Sequence, residues 1–208
     1  MTPVHHGVTP DSGGDGDSLP PAVKVPYILS VSSFYRYKNY ARLVEAFGLL
    51  REKVSQEYQL VLVGYPVERD VHEAVNRQIA SLGLRDHCLI LPGVPYDSLS
   101  ALYRHASIYV FPSLCESFGL TPLEAMAFGV PTLVSNISAM PEICANGALF
   151  FDPYDSADLA DKAVAVLQTS SLREDLTKRG RERARRFTWE ACARKTLNVF
   201  LEVMSRGR

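Results

Sequence analysis

Six short apolar runs alternate with segments of helical periodicity along this 208-residue chain. The runs are rich in Val, Ile, Leu and aromatic residues, which is typical of strands buried on both faces of a parallel sheet. No hairpin turn separates any two of them, so the pattern predicts about six parallel strands with helices on both faces. The predicted strands are Tyr27–Ser32, Tyr58–Gly64, Cys88–Leu91, Ile108–Pro112, Thr132–Ser135 and Ala148–Phe151.

The fold class that follows is a Rossmann-like, three-layer α/β/α domain. With 47% hydrophobic and 22% charged residues, the chain can bury one core, and one domain is the expectation. A net charge of −1 disfavours a nucleic-acid binder, which would carry a strongly basic surface. No apolar run approaches the roughly 20 residues that span a bilayer, and no signal-peptide pattern opens the chain. We therefore expect a soluble, cytoplasmic protein.

The four cysteines are spread along the chain, at Cys88, Cys115, Cys144 and Cys192. Because they lack C-x-x-C spacing and clustered histidines, the sequence predicts neither a zinc site nor a disulfide framework. Free thiols in a reducing compartment are the expectation.

The stretch from Ser107 to Ser135 predicts a strand, a loop, a helix and a second strand. Thr121 can cap the helix, Pro122 suits its first position, and Gly129 can end it. The loop therefore lies at the carboxyl end of a strand and leads into a helix N-terminus. In an open α/β sheet this is where ligands bind, and free N–H groups there favour anions.

Two carboxylates, Glu116 and Glu124, frame this loop. A helix begins between them, so we expect each to contact a different part of one ligand instead of forming an acid/base pair. Glu124 also fits a capping box with Thr121, in which its carboxylate bonds the N–H of the cap residue. Glu116 alone could equally be an ordinary loop glutamate.

Two cations, Arg36 and Lys38, follow the first predicted strand. At the carboxyl end of a strand such residues can neutralise a diphosphate, Arg through a planar fork and Lys as a point charge. The alternative is a pair of solvated surface charges.

The segment ESFGLTPLE, from Glu116 to Glu124, resembles the E-x7-E signature of family 4 retaining glycosyltransferases, usually E-G-F-G-x-x-x-x-E. Ser117 replaces the usual glycine. The family, also called glycosyl transferases group 1, has two facing Rossmann-like domains, the GT-B fold. The resemblance extends from about Val4 to Phe200, and PVHHGV resembles the V-x-x-N-G-V junction between the two domains, with His6 in place of asparagine. It implies that this chain is the C-terminal, donor-binding half.

By this resemblance, Glu116 contacts the donor sugar, Glu124 holds the ribose, and Lys38 binds the diphosphate. VSSFYRYKN resembles V-G-R-x-x-x-x-K-N with Ser33 in place of the arginine, so either Arg36 substitutes for it or the site binds phosphate more weakly. The remaining implied contacts are the Phe118, Gly119 and Leu120 backbone against sugar and diphosphate.

The base pocket is implied by PGVPYDSLSALYRHA, which resembles the block F-x-G-x-V-x-x-x-x-L-x-x-x-Y. The resemblance places Gly93, Val94 and Pro95 along the base, with Leu99 beside them. A turn and an amphipathic helix would use the same residues structurally. Gly64 ends the second strand where the family has G-x-G, and Tyr65 and Pro66 follow it here.

The function implied is donor binding for transfer of a hexose-type sugar from a UDP-, GDP- or ADP-sugar, with Glu116 and Lys38 as catalytic residues and no metal. The acceptor, a sugar, a lipid-linked compound or another molecule, would be bound by a domain from another chain or one that has been removed.

Ser33, Tyr65 and Ser117 depart from the family pattern, so a non-catalytic nucleotide-sugar-binding or regulatory module is a second hypothesis. A nucleotide-sugar epimerase-like enzyme is a third.

The two ends of the chain differ from the centre. We expect residues 1–24 to be a flexible, linker-like segment, since Thr9 to Pro21 is rich in Gly, Ser, Asp and Pro. We expect residues 25–208 to form the nucleotide-sugar-binding domain.

The basic run from Lys178 to Arg186 indicates a solvated helix face, or alternatively a peripheral contact with anionic lipid. Thr188 can cap a last helix whose apolar stripe we expect to be partly exposed as a partner surface: Trp189, Ala193, Leu197, Phe200 and Leu201.

Overall fold

The computed structural model describes residues 3–9 and 18–206, and within them a six-stranded parallel sheet. Helices cover both faces, so the predicted Rossmann-like α/β/α fold is confirmed. The strands are β1 (Tyr27–Val31), β2 (Gln59–Val63), β3 (Cys88–Leu91), β4 (Ile108–Phe111), β5 (Thr132–Ser135) and β6 (Leu149–Phe151). Their order in the sheet is β3-β2-β1-β4-β5-β6.

Helices alternate with the strands up to β6, and the last three helices follow β6 in succession. They are α1 (Tyr40–Lys53), α2 (Arg69–Ser81), α3 (Tyr96–His105), α4 (Leu120–Phe128), α5 (Met140–Cys144), α6 (Ser156–Gln168), α7 (Ser170–Ala184) and α8 (Trp189–Arg206), with 3-10 turns at Arg36–Lys38 and Ala145–Gly147. None of these helices combines the length and apolar character that crossing a bilayer requires, in the part of the chain that is described.

The core lies on both sides of the sheet because successive strand residues point to opposite faces. In β2, Leu60 and Leu62 belong to one apolar cluster with α1 and α6, whereas Val61 and Val63 belong to another with α3 and α4. All five β2 residues are buried. A strand covered on both faces is mostly apolar, which is why the strands were recognisable from the sequence.

The strand order reverses between β1 and β4, which are hydrogen-bonded neighbours although their sequence positions are far apart. In doubly wound sheets the loops that leave the carboxyl ends of two such strands diverge, and the crevice between them binds ligands. The loop after β1 carries Lys38 and the loop after β4 carries Glu116.

The N-terminal residues that are described pack against the domain. The Val8 N–H donates to the Phe187 carbonyl at 3.0 Å, and the Val8 side chain is buried. The rings of His5 and His6 both contact Phe118. Residues 10–17, the centre of the predicted linker, lie outside the described residues.

The cysteines are free thiols. Burial raises the pKa of Cys88 and of Cys144 to about 12. Neither thiol therefore ionises near neutral pH.

The last helix, α8, begins where the sequence predicts. The Thr188 hydroxyl accepts a hydrogen bond from the Ala191 N–H at 3.1 Å, which confirms the cap. The apolar stripe of α8 is exposed, with Leu197 at 57% and Phe200 at 62%.

Candidate functional site

The loop after β1 is fixed by hydrogen bonds to neighbouring loops. Asn39 adopts a left-handed conformation, with φ 59°, and its side-chain amide donates to the carbonyls of Pro112, at 3.1 Å, and Pro153, at 2.9 Å. The Tyr37 carbonyl accepts from the Leu114 N–H at 2.7 Å. These bonds tie the loops after β1, β4 and β6 together, so the intervening Lys38 is held in place.

Lys38 and Glu116 form an ion pair across the crevice between β1 and β4. The Lys38 Nζ lies 2.5 Å from the Glu116 Oε1, and each side chain is only 14% exposed. The same Nζ lies 5.0 Å from the centre of the Tyr37 ring and 5.1 Å from that of Phe111. Aromatic faces attract a cation, and partial burial strengthens its interaction with a carboxylate.

The pKa of Tyr37, which lies next to this ion pair, is raised. Burial raises the pKa of its phenol, and the charge of Glu116 raises the pKa further.

The backbone of Glu116 is held by a residue near α5. The Glu116 N–H donates to the Ser138 Oγ at 3.1 Å, and the Ser138 hydroxyl donates to the Glu116 carbonyl at 2.7 Å. Ser138 itself has a left-handed backbone with φ 58°. The bond between Ser138 and Glu116 could not be predicted from the sequence, because the two residues lie 22 positions apart.

Glu124 lies on α4, where the Tyr103 hydroxyl donates to its Oε2 at 3.0 Å. Burial raises the pKa of the Glu124 carboxyl, although the Tyr103 hydrogen bond acts in the opposite direction. A cavity of about 50 Å³ adjoins it, and the predicted base-pocket residue Leu99 lines the same cavity together with Thr9, Ser100, Tyr103 and Phe128.

The predicted capping box is wrong. Helix α4 begins at Leu120, and Gly119, with φ 94°, occupies the cap position. Thr121 is therefore inside the helix, where its Oγ accepts from the Tyr109 hydroxyl at 2.9 Å. Because the left-handed glycine lets the chain enter the helix earlier than expected, Glu124 is free to pair with Tyr103.

The loop that runs from Glu116 to Leu120 is packed tightly around Gly119. A Cβ on Gly119 would lie 2.3 Å from the Met140 Cε. Phe118 stacks on His5, with ring centres 5.9 Å apart, and contacts Phe187 by its edge at 5.7 Å. Leu120 is exposed at the start of α4.

The loops after β1, β2 and β3 are also in contact. A Cβ on Gly64 would lie 1.9 Å from the Ser32 carbonyl oxygen, so only glycine fits there. Gly93 has φ 91°, and the ring of Tyr65 lies against it. Val94 is half-buried, and Pro95 is the exposed cap residue of α3.

Two predicted diphosphate contacts do not join the Lys38–Glu116 pair. The Arg36 guanidinium bonds Asp70 on α2 at 2.9 Å, and both side chains are largely exposed. Ser33 is half-buried, and its carbonyl accepts from the Tyr35 N–H at 3.0 Å.

Among residues 3–9 and 18–206, no group of three or more His, Cys, Asp or Glu side chains is placed to hold a metal ion.

Comparison with known proteins shows what this arrangement is similar to. Over 175 residues the chain is 35% identical to O-antigen chain mannosyltransferase B of Escherichia coli, an alignment that covers 84% of the chain and 45% of that protein. The structure of sucrose-phosphate synthase from Thermosynechococcus elongatus superimposes with a TM-score of 0.78 at 28% identity, covering 90% of this chain and 47% of that one. A glycosyltransferase from Rickettsia africae gives a TM-score of 0.81 at 23% identity, covering 97% and 56%.

The chain spans about half or less of the length of these relatives. Residues 16–183 match the family described as glycosyl transferases group 1. This match includes Lys38, Glu116 and Glu124, the residues on which the resemblance was first based. The chain therefore belongs to the group 1 glycosyltransferases.

Proposed function

We propose that this chain is the donor-binding domain of a retaining glycosyltransferase, which binds a nucleotide-diphosphate sugar whose hexose is transferred to an acceptor. The observation that carries the proposal is the Lys38–Glu116 pair, which lies at the point where the strand order reverses. The acceptor is presented by a domain outside these 208 residues.

The positive charge for the diphosphate comes from Lys38 and from the first turn of α4. Lys38 is a partly buried cation with a fixed position, and the N–H groups at the start of α4 are not capped by a side chain. Such N–H groups favour anions. When the bond to the sugar breaks, negative charge develops on the diphosphate, and preorganised positive charge stabilises it.

The two carboxylates have separate roles. Glu116 accepts hydrogen bonds from hydroxyls of the donor sugar next to the diphosphate, and Glu124 accepts from the ribose. The ion pair supports the first role, since it places Glu116 beside the cation that would bind the diphosphate. The cavity next to Glu124 supports the second, because Leu99 of the predicted base pocket lines it too.

The E. coli relative is named a mannosyltransferase, and on this ground we propose a mannosyl donor as the first to test. The name does not say which nucleotide carries the sugar. The base is therefore to be found by experiment.

The test is calorimetric titration of the chain with UDP, GDP and ADP. We expect one of the three to bind. Lys38→Ala weakens that binding by about tenfold or more, since a hydrogen bond to a charged group contributes about 1.5–3 kcal/mol, and Glu124→Ala weakens it as well. Lys162→Ala is the matched control, because Lys162 also pairs with a carboxylate, that of Asp158 at 2.8 Å, but lies on α6.

A folded chain that binds none of the three nucleotides contradicts the proposal. A chain whose binding survives both Lys38→Ala and Glu124→Ala contradicts the placement of the site.

A second candidate function is a non-catalytic nucleotide-sugar-binding module. Two observations favour it. Ser33 occupies the position of the family's arginine, and Arg36, which could replace that arginine, bonds Asp70 instead. Lys38, paired with Glu116, is then the cation left for the diphosphate. Slow hydrolysis of a donor sugar, abolished by Glu116→Ala, supports the enzyme. Donor binding without any hydrolysis supports the module.

A further inference from the structure

The backbone of Tyr65 is fixed between the loops that follow β1 and β3. Its carbonyl accepts from the Phe34 N–H at 2.8 Å and from the Val67 N–H at 3.0 Å. The preceding residue, Gly64, donates its N–H to the Leu91 carbonyl at 2.9 Å and leaves no room for a side chain beside Ser32. Tyr65 therefore has little freedom to move away from the carboxyl edge of the sheet.

The Tyr65 side chain rests on Gly93 but faces solvent. A Cβ on Gly93 would lie 2.5 Å from the Tyr65 Cζ and 2.6 Å from its Oη, so a glycine is needed for the ring to lie there. The Tyr65 residue is nevertheless 62% exposed. A large ring held in a fixed position and left open to water is suited to cover a planar ligand.

The strand order places this ring in a specific part of the site. Because β2 lies between β1 and β3, Tyr65 lies between the loop of Lys38 and the loop of Gly93. The first loop is the proposed diphosphate contact, and the second is the proposed base contact. A nucleotide bound to both loops would pass over β2.

We propose that Tyr65 contacts the nucleobase of the donor, with the phenol ring stacked on the base. This inference rests on the proposed function, and it adds an aromatic side chain to the base pocket predicted from Gly93, Val94, Pro95 and Leu99. Stacking on an aromatic ring is open to every base, because each has a π-face. Tyr65 therefore supplies affinity for nucleosides over simple phosphates, and the choice among bases falls to other groups.

The experiment compares a nucleotide with a probe that has no base. The nucleotide that binds the wild-type chain and inorganic pyrophosphate are each titrated calorimetrically into the wild type, Tyr65→Ala, Tyr65→Phe and Tyr154→Ala. Tyr154 is a matched control, since it is also 62% exposed and lies in the turn after β6 at the edge of the sheet.

We expect Tyr65→Ala to weaken nucleotide binding by about five- to a hundredfold, the range of base–aromatic stacking, and to leave pyrophosphate binding unchanged. Tyr65→Phe keeps the ring and retains nucleotide binding. Tyr154→Ala binds both probes as the wild type does.

Four outcomes overturn the inference. Equal nucleotide binding by the wild type and Tyr65→Ala excludes the contact, and equal losses for nucleotide and pyrophosphate show that the loop has only been disturbed. A loss in Tyr65→Phe as large as in Tyr65→Ala assigns the contact to the hydroxyl and not to stacking. A wild-type chain that binds none of the nucleotides overturns the proposed function together with this inference, so the two failures are distinguishable.

Discussion

At the scale of single residues, the Lys38–Glu116 pair links ligand binding to stability. Each group satisfies the other in a place where both are 14% exposed, so removing one leaves an unpaired charge with limited access to water. An unsatisfied buried group costs about 1–3 kcal/mol.

We expect Lys38→Met to lower the free energy of unfolding by about 1–3 kcal/mol, because Glu116 loses its partner. The double variant Lys38→Met with Glu116→Gln recovers part of this loss, since no charge is then left unpaired. Urea denaturation of the wild type, both single variants and the double variant measures the coupling. Strictly additive losses would contradict a direct interaction between the two side chains.

Glu124 gives a pH dependence whose sign follows from its burial. The pKa of Glu124 is raised in the folded chain, so the folded state binds this proton more tightly than the unfolded state does. Stability from this group is therefore present below the unfolded pKa and is lost as pH rises through the folded pKa. Near neutral pH the charged carboxylate opposes folding.

We expect Glu124→Gln to raise the melting temperature at pH 7 and to have a smaller effect near pH 4, because the amide oxygen can still accept from Tyr103 without carrying a charge. Thermal unfolding at both pH values measures this, with the exposed Glu73 changed to Gln as the control. A lower melting temperature at pH 7 would show that the Tyr103–carboxylate bond outweighs the burial.

The three charged residues of the candidate site were chosen from the sequence, because they lie in motifs of fixed spacing, and their roles stay predictions. The contacts that hold them could not be predicted. Asn39 and Ser138 bond partners on other loops, and Tyr103 bonds Glu124 from another helix. Asn39 and Tyr103 stand in the family-like segments, but the group that each of them bonds depends on how the fold brings distant segments together.

At the scale of elements, the strands were predicted closely and the start of α4 was not. A strand buried on both faces has a continuous apolar sequence, which is a strong signal. The start of α4 depends instead on the backbone of Gly119, and a left-handed glycine before Leu-Thr-Pro looks the same in sequence as a loop followed by a threonine cap.

Two glycine substitutions test this difference. Gly119→Ala is expected to destabilise the chain by about 1–3 kcal/mol, the cost of a left-handed backbone in a non-glycine residue, with further strain from the contact with Met140. Gly48→Ala is the matched control. Gly48 lies within α1, where the nearest atom to an added Cβ is 3.9 Å away.

For Gly48→Ala we expect a gain of about 0.5–1 kcal/mol, because alanine is favoured over glycine inside a helix. Chemical denaturation of both variants measures the change in the free energy of unfolding, which we expect to be negative for Gly119→Ala and positive for Gly48→Ala. Equal effects of the two substitutions would contradict the assignment of Gly119 as a left-handed cap.

At the scale of the whole molecule, the chain carries the residues proposed to bind the donor but spans about half or less of the length of its relatives. The residues proposed for the donor lie at the carboxyl edge of the sheet. The apolar stripe of α8 is exposed, as the sequence predicted, and its residues are not among those proposed for the donor.

We expect the purified chain to bind donor and to transfer sugar to added acceptors poorly or not at all, because no group proposed here positions an acceptor. A discontinuous assay with radiolabelled donor sugars would separate transfer from hydrolysis, and Glu116→Ala gives the background. Efficient transfer by the wild-type chain would contradict this expectation.

Because the strands lie in the order β3-β2-β1-β4-β5-β6, the first half of the chain forms one side of the sheet and the second half forms the other. Lys38 belongs to the first half and Glu116 to the second, 78 positions further along the chain. A fragment that ends before β4 would carry the lysine and Tyr65, and the complementary fragment would carry both glutamates. Neither fragment would hold the site alone, so a molecule that contacts Lys38 and Glu116 together joins the two halves of the protein across their boundary.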